Sequence, residues 1–250
     1  MGKLYLWKYF VIARDLSNPS FLYDPNLHTW VDRLIYVDAD TLLLQDIEDL
    51  ANLFDEFNES QMMALAEEAS DGESSYHARF PAEREGFWWG DRGVNTGVML
   101  MDLRKMVSKT FGRRLDEMTL WWFEELYPTL SVKTRDRRFY QDLLNAFFRR
   151  YPSELYVLPC KWNFRPAHLI YGHCPGDIAL LHGSEGYFIQ TRDSASASLL
   201  GRPNFFDTSY DMVAQWPLYD LWNRGTTLSL SLSLSLIRSN SRKSFVWGAI

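Results

Sequence analysis

Leu34-Ile35-Tyr36-Val37-Asp38-Ala39-Asp40 is the stretch that decides how this chain is read. Four apolar residues running straight into two acids predict a buried strand that ends at a functional edge. In open α/β sheets, ligands gather outside the carboxyl ends of the strands. Two carboxylates one residue apart suit a hard divalent cation, because oxygen ligands match Mg²⁺ and Mn²⁺. A cation held there can take up the charge of a nucleoside diphosphate leaving group. An Asp-x-Asp pair alone occurs often by chance and fits a surface turn better than a metal site, so the neighbouring segments have to decide.

Outward from this stretch the pattern is α/β. From Asp46 to Phe57, the residues Ile47, Leu50, Leu53, Phe54 and Phe57 recur at helical spacing, with Asp46 as the N-cap. Met62 to Ala66 reads as the next strand, which makes 33–66 a βαβ unit. Residues 67–93 are acidic, aromatic and glycine-containing, and are expected to form a long loop over a site. Val98 to Met101 is a further buried strand, and Asp102 is placed to cap a short helix. Helices are expected near 113–127 and 140–150, the second with Leu143, Leu144, Phe147 and Phe148 on one side. Tyr156 to Leu158 and Ile178 to Leu181 are late strands that run into polar residues. Residues 1–30 give weak periodic signals, with turn chemistry at Asn18-Pro19 and Asp24-Pro25.

Composition narrows the class. At 250 residues the chain can bury a large core as one domain or two small ones, and 46% hydrophobic content with 10 Trp marks a globular body. With 26 basic against 32 acidic residues the net charge is −6, which gives no support for a nucleic-acid partner. Met1 to Ile12 is short, aromatic and interrupted by Lys3 and Lys8, unlike a signal peptide. No segment is long and apolar enough to span a bilayer. Two cysteines allow one disulfide and do not set the compartment. Leu228 to Leu236 alternates Leu and Ser without a break, a low-complexity pattern with no encoded register. Residues 225–250 are therefore read as a tail that is disordered or foreign to the fold, and 1–224 as the body of the fold.

Four further segments carry chemistry. In Gly93-Val94-Asn95-Thr96-Gly97, glycines flank a polar pair, so the backbone can approach a ligand while the Asn amide bonds sugar hydroxyls. An ordinary loop-to-strand turn is the alternative. Tyr140-Gln141-Asp142-Leu143-Leu144-Asn145 sets an amide and an acid at the first turn of an amphipathic helix, where the helix dipole alone also favours an acid. Leu158-Pro159-Cys160-Lys161-Trp162-Asn163-Phe164-Arg165-Pro166 is aromatic and polar without helical period, suited to stacking on a sugar ring or to packing a Trp in a loop. His182 follows the apolar run 178–181 and precedes Gly183. It becomes a metal ligand only if the fold brings it to Asp38 and Asp40.

Together, and in this order, these segments resemble the glycogenin-like retaining glycosyltransferases (glycosyltransferase family eight). Within them the chain is most similar to the glucoside xylosyltransferases, which extend O-linked glucose with xylose from UDP-xylose. The resemblance covers about 30–190. It implies a GT-A-type, Rossmann-like sheet with helices on both faces. It implies Mn²⁺ (or Mg²⁺) on the UDP diphosphate, held by Asp38, Asp40 and His182. Asn95 and Thr96 would contact the donor sugar and Gly183 the substrate. Gln141 and Asp142 would be the catalytic pair near the anomeric carbon, and Trp162, Asn163 and Arg165 would line the acceptor side. The partners implied are a UDP-sugar donor and a glycan or glycoprotein acceptor, in the Golgi or ER lumen of a type II membrane protein whose anchor does not appear in this chain. Cys160 and Cys174 match a cysteine pair of that branch, and their bond would contribute about 3 kcal/mol in the chain-entropy model.

The chain departs from the pattern at three places. Tyr140 stands where the family has an acid. The positions after His182 read Gly-Ser-Glu-Gly-Tyr, without the usual glycine and lysine that grip the diphosphate. Only about 30 residues precede the metal strand, so the expectation is an N-terminally truncated form with an altered C-terminus. Two rival readings follow. One is an inactive or sugar-binding remnant of the same fold. The other is a haloacid-dehalogenase-like phosphatase, which wants Thr or Val where Leu42 stands.

Overall fold

The computed structural model describes residues 32–69, 88–126, 128, 139–170 and 174–184, together with the backbone of short strands on either side. In chain order the strands are β1 (Tyr23–Asp24), β2 (Thr29–Trp30), β3 (Arg33–Val37), β4 (Thr41–Leu43), β5 (Met63–Glu67) and β6 (Val94–Asp102). They continue with β7 (Leu155–Val157), β8 (Leu180–His182), β9 (Ser235–Arg238) and β10 (Lys243–Gly248). The α-helices are α1 (Ile47–Asn52), α2 (Leu103–Ser108), α3 (Phe111–Trp121), α4 (Phe139–Arg150) and α5 (Pro166–Ile170). Among the described residues no helix is long and apolar enough to cross a membrane.

The fold is α/β, built on a mixed sheet of order β7-β5-β6-β3-β10-β9. β6 runs antiparallel to both β3 and β5, so the βαβ unit of 33–66 is split by a strand from later in the chain. The other pairs are parallel at β5–β7 and β3–β10 and antiparallel at β9–β10. β9 and β10 come from the stretch 225–250, whose low-complexity pattern reads as a tail outside the fold.

Period-two alternation sorts the strand residues onto two faces. Tyr36, Met63, Leu65, Met99 and Met101 point to one side and pack on Phe111, Leu115, Leu143, Phe147 and Phe148 from α3 and α4. Ile35, Ala64, Ala66, Val98 and Leu100 point to the other and pack on Leu50, Ala51 and Phe54. The helices therefore lie on both faces. Two of the helices are started by an acid. Asp46 accepts the N–H of Glu48 at the head of α1, and Asp102 accepts that of Lys105 at the head of α2. The helix expected over 46–57 tightens into a 3-10 turn at Leu53–Glu56. Cys160 and Cys174 form a disulfide with Cα atoms 5.7 Å apart, closing the loop that leads to β8.

β6 is longer than the sequence pattern predicts, since it takes in the whole Val94–Gly97 stretch. Its pairing with β5 jumps from Leu65↔Met99 to Ala66↔Asn95, so Thr96, Gly97 and Val98 leave that ladder. On the β3 side the strand remains paired at Val98↔Val37, and the Asp38 N–H reaches the Gly97 carbonyl at 2.8 Å. Such irregularities turn side chains that a regular ladder would hold flat.

A candidate metal centre and its polar surround

β3 ends at Val37, and the next residues carry the two acids. The Asp38 carbonyl accepts the Thr41 hydroxyl at 2.8 Å, which turns the chain into β4. β4 then pairs antiparallel with β8, Thr41 opposite His182, and the Gly183 N–H donates to the Asp40 carbonyl at 2.7 Å. That two-stranded pairing brings the imidazole to the acids. The sequence pattern points to strand ends of one parallel sheet. His182 arrives instead from a separate antiparallel ribbon.

Nε2 of His182 lies 3.6 Å from Asp38 Oδ2 and 3.4 Å from Asp40 Oδ1. One ligand atom from each of the three residues falls within 4.8 Å of the others. Tyr36, two residues back on the same face of β3, donates its hydroxyl to Asp38 Oδ1, leaving Oδ2 on the histidine side. Burial, reinforced by the Asp38 charge, pushes the Tyr36 phenol far above its ordinary range, so it remains a donor. Two carboxylates and an imidazole nitrogen form a mixed O/N set that fits a divalent cation such as Mn²⁺ or Mg²⁺.

Gly97 shapes this centre. A Cβ placed on it would stand 2.0 Å from His182 Cε1 and 2.4 Å from Nδ1, so the imidazole packs where any side chain would be. The other glycine of the motif, Gly93, has φ 78°, the left-handed region that favours glycine.

Behind the metal centre lies a buried polar network. Asn95 is 4% exposed, and its Oδ1 accepts the Gly97 N–H at 2.9 Å and the Asn163 amide at 2.9 Å. Asn163 Oδ1 in turn lies 2.8 Å from His182 Nδ1. On the opposite side, Asn95 Nδ2 donates to Glu68 and to Gln141 Oε1, each at 3.3 Å. Gln141 Nε2 donates to Glu68 at 2.6 Å, and Arg165 forms an ion pair with Glu68 while donating to the Glu67 carbonyl at 2.8 Å. Asn145 holds the frame: its amide bonds the Val94 N–H at 2.8 Å and the carbonyls of Val94 and Gln141. The helix of Gln141 is thereby tied to the strand of Asn95.

The structure thus brings Asp38, Asp40 and His182 together, and Asn95, Gln141, Asn163 and Arg165 into one network beside them. Asp142 is buried next to Gln141 on α4. Thr96 is half-buried in the irregular part of β6. Gly183 spends its N–H on Asp40 rather than leaving it for a ligand. Trp162, expected to stack on a sugar, is 1% exposed and packs in the core with Leu158, Ala179 and Leu180, so its ring offers no open face. Tyr140 is half-buried at the start of α4, and burial raises its phenol to about 12. It is neutral at any physiological pH.

Glu68, the hub of the network, is the buried polar residue of this surround that the sequence pattern does not single out. The signal was available: Met62 to Ala66 is an apolar run ending in two acids, as Leu34 to Val37 is.

A protein-family model described as "Glycosyl transferase family 8" matches residues 22–182, well over half of the chain. The chain belongs to glycosyl transferase family 8. It is 37% identical over 180 residues to human glucoside xylosyltransferase 1, covering 70% of this chain and 40% of that protein. It is 34% identical over 214 residues to mouse glucoside xylosyltransferase 2, covering 83% of this chain and 44% of that one. The chain therefore spans less than half the length of these curated relatives. Among solved structures, mouse xyloside xylosyltransferase 1 in apo form has 20% identity and a TM-score of 0.45, over 63% of this chain and 59% of that chain.

Proposed function

We propose that this family 8 chain belongs to a retaining transferase that moves xylose from UDP-xylose onto an O-linked glucose or a similar glycan acceptor. The observation that carries the reading is the convergence of Asp38, Asp40 and His182 at the end of β3. These three residues would hold Mn²⁺, or Mg²⁺, against the donor diphosphate. When bound, such a cation supplies charge neutralisation to the departing phosphate.

The chain's own residues do the remainder. The Tyr36 hydroxyl fixes the Asp38 carboxylate. Glu68 orients the Gln141 amide, so that the catalytic pair Gln141 and Asp142 stands rigidly beside the donor sugar. Thr96 bonds its hydroxyls, while Asn95, expected there from the sequence, has its amide fully engaged by Gly97, Asn163, Glu68 and Gln141 and supports the network from behind. Fixed negative and polar groups aimed at the carbon that gains positive charge lower the barrier, because no solvent has to reorganise. The names of the relatives support the choice of xylose, and the Cys160–Cys174 disulfide fits an oxidising compartment such as the ER or Golgi lumen.

The test is transfer of radiolabelled xylose from UDP-xylose to an O-glucosylated peptide with and without Mn²⁺. Mn²⁺-dependent transfer that disappears in Asp40→Asn supports the reading. Binding of UDP with Mn²⁺ but no transfer to any glycan acceptor would leave a sugar-binding remnant of the fold.

A further inference from the structure

We propose that Asn163 is a positioning residue for the metal centre: it locks His182 in the tautomer whose Nε2 is bare and aimed at the two carboxylates. The inference rests on the metal reading above and reassigns Asn163 from the acceptor side, where the sequence had placed it.

The Gly97 backbone N–H is a donor, and it points at Asn95 Oδ1 at 2.9 Å. The side-chain atom of Asn95 that meets it must therefore be the oxygen. The Asn163 atom that faces this same oxygen at 2.9 Å must then be the amide nitrogen. That leaves the Asn163 oxygen facing His182 Nδ1 at 2.8 Å, so Nδ1 must carry the proton. Asn95 is anchored on its far side as well, where its nitrogen meets Glu68 and Gln141, which again requires the same orientation.

Asn163 is 0% exposed, so water cannot substitute for it as acceptor. A histidine with Nδ1 bonded in this way keeps its other nitrogen available as a ligand and its ring plane fixed. The Gly97 backbone contributes twice, since its N–H sets the polarity of the chain of amides and its missing Cβ makes room for the ring. The same amides join the cation to Glu68 and Gln141, so the cation site and the sugar-facing network share one register.

Two measurements decide it. The first uses the unmodified protein saturated with diamagnetic Mg²⁺, with the histidine ring nitrogens read by long-range ¹H–¹⁵N correlation. The expected result is His182 protonated at Nδ1 and bare at Nε2, and a proton on Nε2 with Nδ1 bare overturns the proposal. The second is Mn²⁺ affinity by electron paramagnetic resonance in Asn163→Leu, with near-ultraviolet circular dichroism confirming the fold. Loss of such a supporting partner typically lowers metal affinity about 10–100-fold, and that is the expected fall. Unchanged affinity in a folded Asn163→Leu would overturn the proposal while leaving the metal site standing. Failure of the unmodified protein to bind Mn²⁺ at all would sink the metal reading and this proposal together. Should Asn163→Leu not fold, the ring-nitrogen spectrum of the unmodified protein still separates the two tautomers.

Discussion

Replacing Gly97 with alanine puts a methyl carbon 2.0 Å from Cε1 of His182, 2.4 Å from Nδ1 and 2.9 Å from Nε2. Non-bonded carbons rest about 3.5–4.0 Å apart, so the imidazole has to retreat by roughly 1.5 Å. The strand cannot yield in its place, because the Gly97 carbonyl and N–H are both engaged, with Asp38 and Asn95. A retreat of that size stretches the 2.8 Å contact to Asn163 past hydrogen-bonding range. It also removes Nε2 from the ~2.0–2.6 Å reach of a coordination bond. Mn²⁺ affinity should fall by at least the ~10–100-fold typical of losing a supporting partner. The overpacking itself should cost about 1–3 kcal/mol of stability. Calorimetric Mn²⁺ titration and thermal unfolding of the same Gly97→Ala sample read the two effects separately. If the variant binds Mn²⁺ as tightly as the parent, the close seat of His182 on Gly97 has nothing to do with the cation and the reasoning fails.

Tyr140→Asp is expected to raise xylose transfer at least about tenfold, because a preorganised charged group is typically worth 10²–10³ in rate and a neutral phenol supplies no such field; initial rates with labelled UDP-xylose check it. Glu68→Gln leaves the guanidinium of Arg165, itself 3% exposed, without its counter-charge, a change that should destabilise by ~3–5 kcal/mol in chemical denaturation. His168 accepts the Arg165 N–H on Nδ1, and burial, with the nearby Arg165 charge, lowers its pKa to about 4. A folded-state value below the unfolded 6.5 means stability is fully present above 6.5 and is lost as pH falls towards about 4, by roughly 3 kcal/mol in total. Denaturation midpoints measured through that window should show the decline, and His168→Gln should flatten it. Reducing the Cys160–Cys174 bond should cost about 3 kcal/mol in the chain-entropy model, visible as a lower midpoint with dithiothreitol.

What the sequence revealed and what it hid follow from the range of the interactions involved. Local signals were legible. The run before Asp38 became β3, Asp46 and Asp102 cap the helices expected after them, and Leu143, Leu144, Phe147 and Phe148 bury one side of α4. Signals that depend on distant partners were not. Val94 to Gly97 reads locally as a turn, yet Asn145, 51 residues away, clamps Val94 from both its N–H and its carbonyl and draws the stretch into β6. The ribbon that delivers His182 pairs Thr41 with a residue far along the chain, and no local periodicity encodes that register. Trp162 sits in a segment whose polarity suggested a binding surface, but its large apolar ring is worth more in the core beside Leu158 and Leu180. Glu68 is easily passed over because its acids follow a strand without the alternate spacing of Asp38 and Asp40. Its importance shows only once Asn95, Gln141 and Arg165 converge on it.

The most direct measurement of the central claim is pulsed electron paramagnetic resonance of Mn²⁺ bound to this chain, which detects nitrogen nuclei coordinated to the ion. The chain has five histidines, and the Asp38–Asp40–His182 centre predicts coupling to one imidazole nitrogen that vanishes in His182→Ala. Bound Mn²⁺ with no nitrogen coupling, or a coupling that persists in His182→Ala, would contradict it.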